Sequence, residues 1–212
     1  MTNSQIDNSH RDAKLMLRRY MLDKYHSGTP FRVFDCCQGG GVLWQCLREE
    51  YDVAAYWGVD VKPQRGRLKI DSRRLMASIA DRNVVDIDTY GNPWQHWLRL
   101  LPHIRQSTTV FLTLGQRRGM TNQTKEVIEA IGLGQFYKKA PISLLSRMGQ
   151  IAVSRLLTKG CDYGLIAIEA IEAVAGPTAR YFAVRLCPDS GTAGSQPGRP
   201  KHTQAEKEPE NV

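Results

Sequence analysis

Between Phe31 and Glu50 the chain reads as a short apolar run, then the turn Asp35-Cys-Cys-Gln-Gly-Gly-Gly41, then a helical stretch from Val42 to Glu50. Strand, glycine-rich turn and helix in that order is the arrangement that brings a nucleotide-like cofactor close to the backbone. Three consecutive glycines leave no Cβ where a ligand approaches. A tight strand-to-helix turn would use the same glycines, so the turn alone leaves both readings open. A second apolar run, Ala55 to Val61, carries Asp60 at its end, 19 residues after Gly41. An acid at the end of a second strand, about 20 residues past the glycines, suits a ribose diol. Taken together the two features point to a ribose-bearing cofactor. The dinucleotide fingerprint started from Gly39 and Gly41 would need Gly or Ala at position 44, where Trp44 stands. That disfavours NAD.

The remaining chain alternates in the same manner. Asp12 to Tyr25 has helical spacing at Leu15, Met16, Leu17, Tyr20, Met21 and Leu22, and the expectation is that Lys14, Arg18, Arg19 and Lys24 form a solvated face. Leu68 to Asp71 reads as a third strand ending in Asp71-Ser72, and Arg73 to Ala80 as a helix. Asn83 to Ile87 is a fourth strand, Pro93 to Leu101 a helix, and Thr108 to Leu114 a fifth strand ending near Arg117 and Arg118. Thr124 to Ile131 and Ile142 to Leu157 have helical spacing. Leu165 to Ala173 and Arg180 to Leu186 alternate around Ala-Gly-Pro-Thr as a β-hairpin. The expected division is a helical extension over 1–30, one domain over 31–187, and a disordered tail over 188–212.

The fourth strand ends abruptly in Asp88-Thr-Tyr-Gly-Asn-Pro93. The carboxyl edges of open α/β sheets hold ligands. Asp88 and Tyr90 there place a carboxylate and a phenol ring two residues apart, as an acceptor lip requires. Asp86 points to the same side by strand alternation and is read as the supporting member of that catalytic group. Asp88 as a helix cap and Gly-Asn-Pro as a plain turn is the alternative. Asn92, Pro93 and Trp94 line the lip in the functional reading, although Trp94 and Trp97 also suit a core. Arg117 and Arg118 would bind phosphate, with Arg65, Arg67, Lys69, Arg73 and Arg74 further candidates, or are solvated charge.

The net charge is +8, and the stretch from Pro188 holds three basic and four acidic residues, so the body carries all of the excess. That suits a polyanionic partner such as nucleic acid, RNA or DNA. Five cysteines without CxxC spacing and five scattered histidines argue against a disulfide framework and a metal site. No run reaches the roughly 18 apolar residues of a membrane span. The N-terminus lacks the apolar core of a signal peptide, so the expected setting is the cytoplasm.

Strands alternating with helices, closed by a hairpin, resemble the class I S-adenosylmethionine-dependent methyltransferases, on the residues Asp35-x-x-x-Gly39-x-Gly41, Asp60 and Asp71-Ser72. The resemblance covers roughly Phe31 to Leu186. It implies a Rossmann-like α/β fold: a seven-stranded, mostly parallel sheet with helices on both faces and an antiparallel last strand. S-adenosyl-L-methionine would lie across the first three strands, with Asp35 among the residues that bind it, Gly39 and Gly41 at the methionine part, Asp60 at the ribose, and Asp71 with Ser72 at the adenine. Cys37 stands where many members have a first glycine. Asp88-Thr-Tyr-Gly-Asn-Pro93 resembles the signature of nucleic-acid amino-methyltransferases, most closely the tRNA guanine-N2 dimethyltransferases, with Thr89 in place of a proline. The resemblance implies methylation of an exocyclic base amine. A methyltransferase acting on protein or a small molecule, or a non-catalytic nucleic-acid-binding module, are the alternatives.

Overall fold

The computed structural model describes residues 10–62, 68–89, 91–115, 152–174 and 179–190. Helix α1 (Arg11–His26) leads into strand β1 (Phe31–Asp35), helix α2 (Val42–Glu50) and strand β2 (Val53–Asp60). Strand β3 (Leu68–Lys69), β4 (Val84–Ile87), helix α3 (Trp94–Leu100) and β5 (Thr108–Gly115) follow. Strands β6 (Leu165–Val174) and β7 (Ala179–Pro188) close the fold. The sheet order is β3-β2-β1-β4-β5-β7-β6. The first five strands run parallel, and β7 is antiparallel to both of its neighbours. This is the expected doubly wound sheet with a final antiparallel strand.

Residue alternation along the central strands divides the core into two layers. Val33, Val84, Phe111 and Ala183 point to one face, where Leu15, Leu17, Met21 and Leu22 of α1 and Trp44 and Leu47 of α2 cover them. Phe34, Val85, Val110 and Val184 point to the other, under Trp94, Trp97 and Leu100 of α3 and Ala152, Val153 and Leu156 of the helical stretch 152–157. Apolar burial on both faces is what a central parallel strand demands, and β4 is buried at every position.

Two sequence expectations change here. The helix expected over Arg73 to Ala80 is instead a pair of 3-10 turns, Ser72–Arg74 and Met76–Ser78. Asp71 starts the first by accepting from the Arg73 amide at 3.0 Å, and Ile79 turns inward to the core, so the chain re-enters the sheet without a full helical repeat. Strand β7 runs through Pro188, and the Asp189 amide still donates to the Gly164 carbonyl at 2.8 Å, so order extends past the expected limit at residue 187. Tyr90, Arg117, Arg118, Arg65, Arg67, most of the two helices expected between 124 and 157, and residues 191–212 lie outside the described residues.

Candidate active site at the carboxyl edge of the sheet

The turn after β1 is held from below. Gly39 and Gly41 have φ of +50° and +69°, left-handed values that glycine adopts without strain. The Gln38 amide donates to the Val59 carbonyl at 2.9 Å, and the Gly39 amide to Asp60 Oδ2 at 2.9 Å. Asp60 Oδ1 also accepts from the Lys62 amide at 2.7 Å. Asp60 thus ties the glycine turn to the end of β2. Each of its oxygens has taken one bond and keeps capacity for another. Gly58 lies directly beneath: a Cβ there would come within 2.5 Å of the Gln38 side chain.

Asp35 is buried at the end of β1, accepting from the Tyr56 hydroxyl at 2.8 Å and distantly from the Cys37 amide at 3.4 Å. Burial, and then the Asp86 carboxylate beside it, push its carboxyl well above the usual range, against the hydrogen bond from Tyr56. A buried acid whose direct partners are neutral groups, next to a glycine cradle and an acid with spare acceptor capacity, is a donor set suited to a cationic ligand bearing a diol. S-adenosylmethionine, with its ammonium, sulfonium and ribose, fits that set. Asp71 is less open than expected. Arg73 forks onto both of its oxygens at 2.6–3.0 Å and holds its carboxyl down to about 2. Ser72 is buried with its hydroxyl 2.9 Å from His96 Nε2. Burial and then Arg73 lower His96 to about 4, so this ring is neutral near pH 7.

The lip beyond β4 is built from α1. Asp86 and Asp35 stand in register on adjacent strands, both on the α1 face. Arg18 reaches Asp86 with two parallel bonds, Nε to Oδ2 at 2.8 Å and Nη2 to Oδ1 at 2.7 Å, and the Trp44 indole adds a third at 2.7 Å. The Arg18 and Asp86 side chains are each 2% exposed. Asp86 is therefore a buried anchor beneath the lip, tied to Arg18 and Trp44. One turn earlier on α1, Lys14 Nζ lies 2.9 and 2.7 Å from the two oxygens of Asp88. Burial pushes the Asp88 carboxyl up. The Lys14 and Arg18 charges and hydrogen bonds from Lys14 and Thr113 outweigh it, leaving Asp88 below the usual carboxylate value and ionised. The solvated face expected for Lys14 and Arg18 is thus wrong: both turn inward, and only Arg19 and Lys24 make exposed pairs, with Glu50 and Glu169.

The described residues on either side of position 90 are tied to neighbouring elements. Gly91, at φ +126°, accepts from the Gly115 amide at 2.7 Å, and Thr89 Oγ1 donates to the Thr113 carbonyl at 3.3 Å. Just before α3, Asn92 Oδ1 accepts from the Trp94 amide at 2.9 Å. Pro93 is buried, and Trp94 is 1% exposed against Phe182. Trp94 packs in the core, one of the two places the sequence left open for it, and Pro93 shares that burial.

Lys14, Tyr56 and His96 are the site-edge residues that sequence reasoning missed. A signal for Lys14 exists in the helix spacing: 14, 18, 21, 22 and 25 share one stripe, so two cations ride on the buried face of α1. Nothing local marks Tyr56, which reaches Asp35 only because β1 and β2 are neighbours. Among the described residues no cluster of His, Cys, Asp and Glu could hold a metal, and no helix is long and apolar enough to cross a membrane.

Sheet order, final antiparallel strand and cofactor-type edge together define the class I S-adenosylmethionine-dependent methyltransferase fold, which this chain has. Particular solved structures share it. Trm1 from Pyrococcus horikoshii, in complex with S-adenosyl-L-methionine, aligns with a TM-score of 0.58 at 13% identity, over 83% of this chain and 54% of its own. A putative hemolysin from Lactococcus lactis aligns at 0.52 and 9% identity, over 81% and 86%. The plantazolicin methyltransferase BamL, in complex with a triazolic desmethylPZN analog and SAH, aligns at 0.50 and 10%, over 82% and 83%. This chain therefore spans about half of the Trm1 structure. No protein-family model and no curated protein matches the sequence.

Proposed function

We propose that the chain is an S-adenosylmethionine-dependent N-methyltransferase acting on an exocyclic amine of a nucleic-acid base. The observation that carries this reading is Asp88: a carboxylate held ionised and oriented at the carboxyl end of β4, beyond the cofactor-type edge formed by β1 and β2. The motif around it resembles that of tRNA guanine-N2 dimethyltransferases, and Trm1, solved in complex with S-adenosyl-L-methionine, shares the fold. The basic charge of the body supports a polyanionic substrate.

The cofactor supplies an electrophilic methyl group on a sulfonium. In this reading Asp35, Gly39 and Asp60 hold it at the ends of β1 and β2, with Ser72 and Asp71 beside the base. Asp88 accepts a hydrogen bond from the substrate amine, which localises a nitrogen lone pair otherwise spread into the ring. The nitrogen so held would be the nucleophile toward that methyl group, with the neutral thioether as leaving group. The amine then loses its extra proton to solvent. Tyr90, two residues on in sequence, is proposed as the stacking surface for a base displaced from its stack.

Tritiated methyl transfer to total RNA, genomic DNA and a protein pool tests this. The expected result is incorporation into a nucleic acid, with Asp88→Asn lowering turnover by roughly 10²–10⁴-fold and leaving calorimetric cofactor affinity unchanged. Incorporation into protein alone, or full activity in Asp88→Asn, overturns it.

A further inference from the structure

Helix α1 carries a lysine onto the carboxylate that the proposed reaction uses. We infer that Lys14 is a positioning residue of the acceptor lip, holding Asp88 as an oriented anion that accepts from the substrate amine; this rests on the reading of Asp88 given above.

The geometry is specific. One ammonium bonds both oxygens of one carboxylate, at 2.9 and 2.7 Å, with side-chain exposures of 14% and 18%. The Lys14 ammonium also sits 5.4 Å from the ring centre of Tyr181 on β7. Lys14 is not carried on a mobile arm. Leu15, Leu17, Met21 and Leu22 bury the same helix in the core, and Arg18, one turn on, is locked to Asp86. A carboxylate offers about four lone-pair positions, of which Lys14 takes one on each oxygen and Thr113 a third, so one remains for an amine.

Asp88 needs this partner because of what surrounds it. Lys14 and Arg18 face it from α1, Thr113 from β5, Asp86 from its own strand, and Asp35 and Cys37 from the end of β1. Burial favours the neutral acid. Arg18 is already forked onto Asp86, and Thr113 supplies only one hydrogen bond. Lys14 is the cation that bonds Asp88 directly, and without it the acid would take up its proton at a higher pH. A protonated Asp88 donates where the reaction needs an acceptor. A lysine-paired carboxylate is also a weak base, which suits a group that aligns an amine without abstracting its proton in advance.

The test compares wild type, Lys14→Met and Lys14→Arg. The carboxyl carbon of Asp88 is followed by NMR against pH in full-length protein, its signal assigned by its loss in Asp88→Asn. The expected outcome is a titration midpoint at least one pH unit higher in Lys14→Met, largely restored in Lys14→Arg. The acid limb of the kcat profile should move the same way, giving about a tenfold loss of kcat per unit below the new midpoint, with cofactor affinity unchanged. An Asp88 midpoint that is the same in wild type and Lys14→Met overturns the inference. Should Lys14→Met not fold, Lys14→Gln provides the same comparison. The NMR titration needs no turnover, so a protein that methylates no nucleic acid would sink the proposed function while this measurement still decides the role of Lys14.

Discussion

At the scale of single residues, buried polar groups here are matched to specific partners over long sequence distances. His26 is a compact case. Arg185 can only donate, and its Nη1 lies 3.2 Å from His26 Nε2 and 3.0 Å from Thr109 Oγ1, so Nε2 is the acceptor and the ring is neutral. Burial, then the Arg185 charge, lowers His26 to about 4. In the unfolded chain the ring binds its proton near 6.5. The unfolded state therefore takes up the proton first, and stability present above pH 6.5 is lost as pH falls toward 4. The full effect of that shift is about 3 kcal/mol. Urea unfolding of wild type should show this decline, and His26→Gln should show a shallower one; equal slopes would refute it. None of this was legible in the sequence, where His26 is one scattered histidine among five. The same holds for Lys14 and Arg18. Charge favours a solvated assignment, and only the acids waiting at the end of β4 reverse it.

Elements were more legible than residues where hydrophobic pattern and glycine chemistry agreed. Helix α2 has the expected bounds, and the strands begin and end within about two residues of their patterns. Pattern failed over Ser72–Ser78, where apolar residues have helical spacing but the chain must cross a short gap between β3 and β4. The lip loop illustrates glycine chemistry at the element scale. Gly91 lies at φ +126°, outside the region that residues with a Cβ adopt, while a Cβ there would meet nothing within 4 Å. Gly91→Ala should therefore cost only backbone strain, about 1–3 kcal/mol. Thermal melting should fall by roughly 2–12 °C, and relaxation of the loop should weaken its hold on Gly115. An unchanged melting temperature would mean that the loop adapts freely and that Asp88 is not supported from that side.

For the molecule as a whole, the doubly wound sheet was legible because alternating strand and helix signals admit few topologies, whereas the second layer of the site depends on which strands become neighbours. The excess of basic residues belongs to this scale too. If nucleic acid is the substrate, affinity should fall steeply with salt; three phosphate contacts to a single strand predict about a 20-fold loss between 50 and 200 mM. Filter binding of RNA across that range checks it, and a flat response would remove the electrostatic argument for a polyanion. The pairing of α1 with β4 also has a consequence in time. Arg18 and Lys14 leave the ribosome 68 and 74 residues before Asp86 and Asp88. At about 5–20 residues per second, several seconds of synthesis separate each cation from its acid. During that interval the first helix can neither bury its arginine nor dock, and β4 must arrive before either can happen. Forming the Lys14–Asp88 pair and completing the core around α1 are then one late event, so a nascent chain stalled before residue 86 should present α1 to proteases, and one extended past β5 should protect it.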